Sequence, residues 1–348
     1  MRAEDLPGGG DLAKRPTPDP AKSLDVLIVI VNYKTAGLIV DCLRSLEPEI
    51  ASFRGGRARV VVTDNASPDD SVPRLEAAVR DNRWSDWAEI QPLERNGGFA
   101  YGNNAAIRPR LDSDHPPDYI WLLNPDTIVR PGALSALIEF LQKTPEAGIV
   151  GSRLEGADGI AQQSVFRFPS VMGELEDGLK FGPASRLLSR WIVSLPVPEA
   201  PCACDWVCGA SMLIRREVFE SIGLLDEGYF MYYEEVDFCR RAQLAGWACW
   251  YDPEPRVVHL VGQSSAGSDV RVNRKRLPTY WFEARRRYFL SHLGYLRTFL
   301  ADVAWSLGYL TFRARQRIQR KPDNQPRYFL RDFVRYNFFP ILPSQPRT

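Results

Sequence analysis

No second C-x-x-C pair accompanies Cys202, Cys204 and Cys208, so a zinc knuckle finds only part of its ligand pattern. The six cysteines are scattered and no secretory signal precedes them, which predicts reduced thiols in a cytoplasmic protein. The C-terminal part lacks a long apolar run. Its longest uncharged stretch, Val303 to Phe312, falls far short of the roughly 20 residues a spanning helix needs. Excess charge is missing too, with a net of +1 over 348 residues, but the distribution is uneven. From Arg271 onward there are 17 Lys/Arg against 4 Asp/Glu, a net of +13, which leaves about −12 on the first 270 residues. An acidic body with a basic tail argues against a general nucleic-acid binder and for a tail that meets an anionic surface.

What is present suffices for one large domain and an appendage, since 45% of the residues are hydrophobic. Residues 1–22, rich in Pro, Gly, Asp and Lys, read as a disordered leader. Order begins with the aliphatic run Val26 to Val31, suited to a central parallel strand that exits at Asn32-Tyr33. A helix follows through Leu38, Cys42, Leu43 and Leu46 and is expected to stop at Pro48. Arg59 to Thr63 is a second strand, ended by Asp64-Asn-Ala-Ser67. Asp64 at such an exit can accept from a uracil or thymine imide or a ribose hydroxyl, or it forms an Asx turn into the next helix. Strands and helices alternate with polar strand exits, the pattern of a doubly wound α/β sheet.

Asn96-Gly97-Gly98-Phe99 is not the G-x-G-x-x-G fingerprint. Its two glycines still permit close backbone approach, and Phe99 can open a helix whose N-terminus favours a diphosphate. Tyr119 to Leu123 is nearly all apolar and reads as a strand buried on both faces, halted at Asn124-Pro125-Asp126. Ligands of open α/β sheets bind beyond the carboxyl ends of the strands, where Asp126 sits, although Asn-Pro-Asp is also ordinary turn chemistry. Pro131 is expected at the first position of the next helix. Further on, Glu234, Glu235 and Asp237 open a helix beside Tyr229, Phe230, Tyr232 and Tyr233. Acidic residues suit a helix start, yet a carboxylate held against rings also has its pKa raised towards that of a usable base. Trp247 to Tyr251 and Arg256 to Leu260 read as two strands, the second carrying His259.

In this order, Asn32-Tyr33, Asp64-Asn-Ala-Ser67, Asn96-Gly-Gly-Phe99, Asn124-Pro-Asp126, Glu234-Glu-Val-Asp237 and His259 resemble glycosyltransferase family 2, in its bacterial rhamnosyltransferase-like branch. The likeness runs from about Asp25 to Ser265. It implies a GT-A-type mixed sheet over 23–268, followed by a helical basic region over 269–348. It also implies inverting sugar transfer from a nucleotide diphosphate sugar, such as a dTDP- or UDP-sugar, with rhamnose as the branch's sugar. Asn32, Tyr33, Asp64, Asn96, Gly97, Gly98 and Asn124 would contact the donor, and Asp126 with His259 would hold Mn²⁺ or Mg²⁺. Glu235 falls where the family usually has an aspartate base. The glutamate is one methylene longer, so Glu234 or Asp237 stays open as an alternative.

In-line displacement needs a base for the acceptor hydroxyl and positive charge beside the departing diphosphate. Oxygen ligands suit Mg²⁺ or Mn²⁺, and an imidazole tilts the choice to Mn²⁺. The expected acceptor is a glycan or lipid-linked molecule at the inner face of the cell membrane, in surface polysaccharide synthesis. Two other classes compete. A sugar-nucleotide nucleotidyltransferase would want a Gly-rich basic loop after the first strand, where Asn32-Tyr-Lys-Thr-Ala-Gly37 offers one Lys and one Gly. The other is a non-catalytic membrane-associated protein on the same fold. In the tail, Trp281, Ala284, Tyr288, His292, Tyr295 and Phe299 recur at helical spacing among arginines, which fits either a peripheral membrane helix or a homodimer contact through 271–348.

Overall fold

The computed structural model describes residues 23–260 and 276–339. The leader over 1–22 and the tail residues 269–275 and 340–348 lie outside them. The described residues form two units, one over 23–166, 196–230 and 234–260, the other over 167–195, 231–233 and 276–339.

The first unit is built on a nine-stranded mixed sheet of the GT-A-like kind. Its leading half is parallel: β1 (Leu24–Asn32) lies between β2 (Gly56–Asp64) and β4 (Tyr119–Leu123), and β3 (Ala88–Pro92) flanks β2. β1 and β4 are buried almost throughout, as their unbroken aliphatic runs predict. The trailing half changes direction. β10 (Ser211–Arg215) is antiparallel to both β4 and β6 (Ala147–Glu155), while β11 (Ala248–His259) runs parallel to β6 and antiparallel to β5 (Thr127–Val129). The two strands expected between Trp247 and Leu260 are one, with its register shifted between Asp252 and Arg256.

Two helix boundaries depart from the simple reading for one reason. Helix α1 (Ala36–Ser52) runs through Pro48 instead of stopping there. That extra turn buries Glu49, whose carboxylate accepts from the backbone N–H groups of Gly132 (2.7 Å) and Leu134 (2.9 Å). Helix α4 (Ala133–Lys143) therefore starts after Gly132, at φ +86°, and not at Pro131. A charge-assisted cap from a neighbouring helix offsets the proline's lost hydrogen bond.

In the second unit, α9 (Thr279–Ile318) bends at Gly294, where φ is +73°. The kink breaks the aromatic period. Ala284 and Tyr288 before it are buried, whereas Tyr295 and Phe299 after it are exposed. Residues 167–195, read with the sugar-transfer domain in the sequence, belong to this unit. Their helix α5 (Val171–Leu179) packs on α9 through glycines, since a Cβ at Gly178 would lie 2.5 Å from the Trp305 carbonyl. The core of the unit is Phe282, Trp305, Tyr309 and Phe333. Among them the buried Arg285 donates to Asp302 (2.6 Å), Glu174 (2.8 Å) and Asn337 (3.1 Å). No helix among the described residues is long and apolar enough to cross a membrane.

Candidate active site

The sheet delivers the first cluster at the carboxyl end of β4. There the Asn124 N–H donates to the Ala210 carbonyl (3.0 Å) and Thr127 Oγ1 donates to the Asn124 carbonyl (2.7 Å), fixing the turn. Asp126 is 1% exposed. Neither of its carboxylate oxygens has a hydrogen-bond partner. His259, at the end of β11, brings Nε2 to 3.5 Å from Asp126 Oδ1 and to 3.5 Å from Asn124 Nδ2. Burying a carboxylate with no donor is costly unless a cation completes it. Two unpartnered anionic oxygens beside an imidazole nitrogen fit a divalent metal. No group of three or more His, Cys, Asp or Glu side chains among the described residues could hold one alone.

Glu234 and Glu235 start helix α8 (Glu234–Leu244). Each keeps one buried carboxylate oxygen without a partner. Burial raises both carboxyls, Glu234 further because the Glu235 charge lies against it. Backbone N–H groups, that of Gly209 included, pull Glu235 the other way. Asp237 is differently occupied: it accepts from Arg241 Nε (2.7 Å), and Arg241 donates on to the carbonyls of Ile222 and Leu224. Its carboxylate thus braces the helix.

The turn Cys208-Gly209-Ala210 joins these clusters, a role the sequence reading missed. Burial, and then the charges of Glu235, Asp126 and Glu234, push the Cys208 thiol up to about 12, so it stays neutral between the carboxylates. The signal in the sequence is the run of small residues, Cys208 to Ser211, that leads into β10.

On the other side of Asp126, along the sheet, Asp64 closes β2 opposite Asn32. Asp64 Oδ1 accepts from Asn32 Nδ2 (2.5 Å) and Oδ2 from the Ser67 N–H (2.8 Å), the Asx-type turn that competed with a binding role. Second lone pairs on both oxygens remain. Asn32 Oδ1 accepts from the N–H (3.0 Å) and hydroxyl (2.8 Å) of Thr35, so its side chain is spent on orientation. Tyr33 is 40% exposed. The Gly97-Gly98 pair differs from expectation. Gly98 has φ +88° because the Phe230 carbonyl packs there, 1.9 Å from where a Cβ would sit. Asn96 Oδ1 and the Phe230 carbonyl take the N–H groups of Gly98 (3.1 Å) and Phe99 (2.9 Å), which a diphosphate would otherwise use.

Residues 27–223 match the family model for Glycosyl transferase family 2. The chain belongs to glycosyl transferase family 2. The matched span takes in Asp64 and the Asn124–Asp126 turn; Glu234, Glu235 and His259 lie beyond it. A relative from Mycobacterium tuberculosis, an N-acetylglucosaminyl-diphospho-decaprenol L-rhamnosyltransferase, is 30% identical over 83% of this chain and 92% of its own. Rhamnosyltransferase WbbL of Escherichia coli K12 is 28% identical over 55% of this chain and 71% of its own. This family 2 chain is therefore a glycosyltransferase of the rhamnosyltransferase-like branch. Among solved structures, the mannosyltransferase PcManGT from Pyrobaculum calidifontis, in complex with GDP-Man and Mn²⁺, superposes with a TM-score of 0.55 at 15% identity. That match covers 90% of this chain and 81% of the other, and it speaks to the fold.

Proposed function

We propose that this family 2 enzyme transfers rhamnose, with inversion and with a divalent cation, from a dTDP- or UDP-sugar to a lipid-linked or glycan acceptor of a surface polysaccharide. The names of its relatives support the sugar and the lipid-linked acceptor. The buried carboxylate of Asp126, without a donor on either oxygen, carries the rest. Asp126 and His259 would hold Mn²⁺ or Mg²⁺, which when bound supplies positive charge for the departing diphosphate. Those two side chains alone would not fill a metal's coordination, and donor oxygens and water would supply the rest.

Asp64 accepts from the base or ribose of the donor, held in position by Asn32, with the Tyr33 ring alongside. Glu235 takes the proton of the acceptor hydroxyl as its oxygen attacks the anomeric carbon and the bond from that carbon to the diphosphate breaks. Two features suit Glu235 to the task. Burial raises its carboxyl, which strengthens it as a base, and backbone N–H groups, that of Gly209 among them, favour its charged form. Glu234 stays protonated more readily, and Asp237 is tied to Arg241. The reaction belongs on the cytoplasmic side, where sugar nucleotides are available.

The test is a panel of sugar nucleotides offered with Mn²⁺ or Mg²⁺, with the anomeric configuration of the product read by NMR. Transfer from dTDP-rhamnose with inversion is expected. Retention of configuration, or turnover that is unaffected by chelation, contradicts the proposal.

A further inference from the structure

The second half of α9 is amphipathic in an unusual sense, because the apolar stripe left over is the one facing solvent. Thr298, Ala301, Trp305, Gly308 and Tyr309 are buried against their own unit. Leu296, Leu300, Leu307, Leu310 and Ile318, at steps of three, four, seven or eight residues, lie on the opposite side, and all are exposed: Leu296 by 70%, Leu307 by 58% and Ile318 by 82%. The stripe is about 33 Å long at 1.5 Å per residue. Isolated exposed leucines need no explanation, but a continuous row of them does.

The charges beside the stripe say what covers it. Arg297 stands at one end, and Arg317, Arg320 and Lys321 at the other; all four are exposed and have no ion-pair partner among the described residues. Between Tyr295 and Lys321 the sole acidic residue is Asp302, which is buried and paired with Arg285. A second copy of this helix would meet like charge in the parallel arrangement and find no carboxylate to pair with in the antiparallel one. An anionic surface with an apolar interior satisfies both the stripe and its cations. Tyr295 and Phe299, exposed beside the Arg297 end, suit the headgroup level.

We propose that this face of α9 is a docking surface for an anionic phospholipid bilayer. The leucine stripe enters the acyl boundary while Arg297, Arg317, Arg320 and Lys321 reach back to lipid phosphates. The binding is independent of the sugar chemistry and needs no donor.

The experiment is flotation of the full chain with vesicles of phosphatidylcholine alone or mixed with phosphatidylglycerol, at low and high salt. The wild type is expected to float with the anionic vesicles only, and less so as salt rises. Replacing Arg317, Arg320 and Lys321 together by Gln lowers partition about a hundredfold, at about fivefold per charge. Leu300→Glu with Leu307→Glu lowers it by at least about tenfold, since two buried apolar side chains become charges. Leu307→Trp supplies a reading that does not depend on loss: its emission shifts to the blue on anionic vesicles and is quenched by brominated acyl chains. Wild-type protein that ignores anionic vesicles, or an L307W emission unchanged by them, overturns the proposal. A lipid-free dimer that the Leu300→Glu, Leu307→Glu variant dissociates, in a protein that does not float, assigns the face to a second copy and likewise overturns it.

Discussion

Replacing Asp126 by Asn removes one negative charge from a site where both carboxylate oxygens are buried and unpartnered. The shape is nearly conserved, so packing is little disturbed, and the change isolates the charge. Without metal, the native carboxylate is an uncompensated buried group, so Asp126→Asn is expected to melt at the same temperature or higher. With metal the order reverses. A cation present at about ten times its dissociation constant stabilises the wild type by about 1.4 kcal/mol, since only the folded chain brings Asp126 and His259 together. For a domain of this size that raises Tm by about 3–6 °C. The assay is differential scanning fluorimetry over a Mn²⁺ titration, with and without dTDP or UDP, on wild type and variant. The diphosphate should enlarge the wild-type shift by adding ligand oxygens, and the variant should lose most of it. An equal Mn²⁺-dependent shift in Asp126→Asn refutes the assignment, because the cation would then sit elsewhere.

Other consequences are open to direct measurement. The acid limb of kcat/KM should lie above the ordinary carboxylate range, with activity lost as pH falls through the raised Glu235 value; a limb at or below 4.5, the unperturbed glutamate value, contradicts burial of the base. Glu234 is raised as well, so the folded state holds its proton longer than the unfolded state does, and stability is lost as pH rises from below 4.5 through the folded value. Glu234→Gln should therefore match wild type in Tm at acid pH and exceed it at neutral pH, and the opposite trend removes the argument. Gly98→Ala places a Cβ 1.9 Å from the Phe230 carbonyl at a positive φ. The backbone conformation alone costs about 1–3 kcal/mol, and the clash adds to it. Chemical denaturation that shows no loss in this variant would mean the Gly98–Phe230 contact is not made.

Much of the fold was legible because unbroken aliphatic runs such as Val26 to Val31 and Tyr119 to Leu123 admit few arrangements other than a two-sided parallel strand. Their polar exits then marked Asp64 and Asp126 without further information. What was not legible depended on partners distant in sequence. Pro48 reads as a stop until Glu49 is seen capping a helix more than eighty residues later. Gly98 reads as room for a phosphate, but its space is filled by the Phe230 carbonyl. The three carboxylates of Glu234-Glu-Val-Asp237 look equivalent in sequence, and only the Arg241 pair distinguishes Asp237. Likewise Leu300 and Leu307 carry the spacing of a buried stripe, and the kink at Gly294 with the glycine contact at Gly178 turns the opposite face inward.

On the proposed mechanism, Glu235 removes the acceptor proton while the rest of the site holds the donor. Glu235→Gln separates these functions: it keeps the shape and removes the base. Donor affinity by calorimetry and turnover by product release, on the same preparation, give the decisive comparison. An unchanged donor Kd with turnover lowered by about 10²–10⁴-fold is expected. Full turnover in Glu235→Gln, or loss of donor binding along with it, contradicts the account.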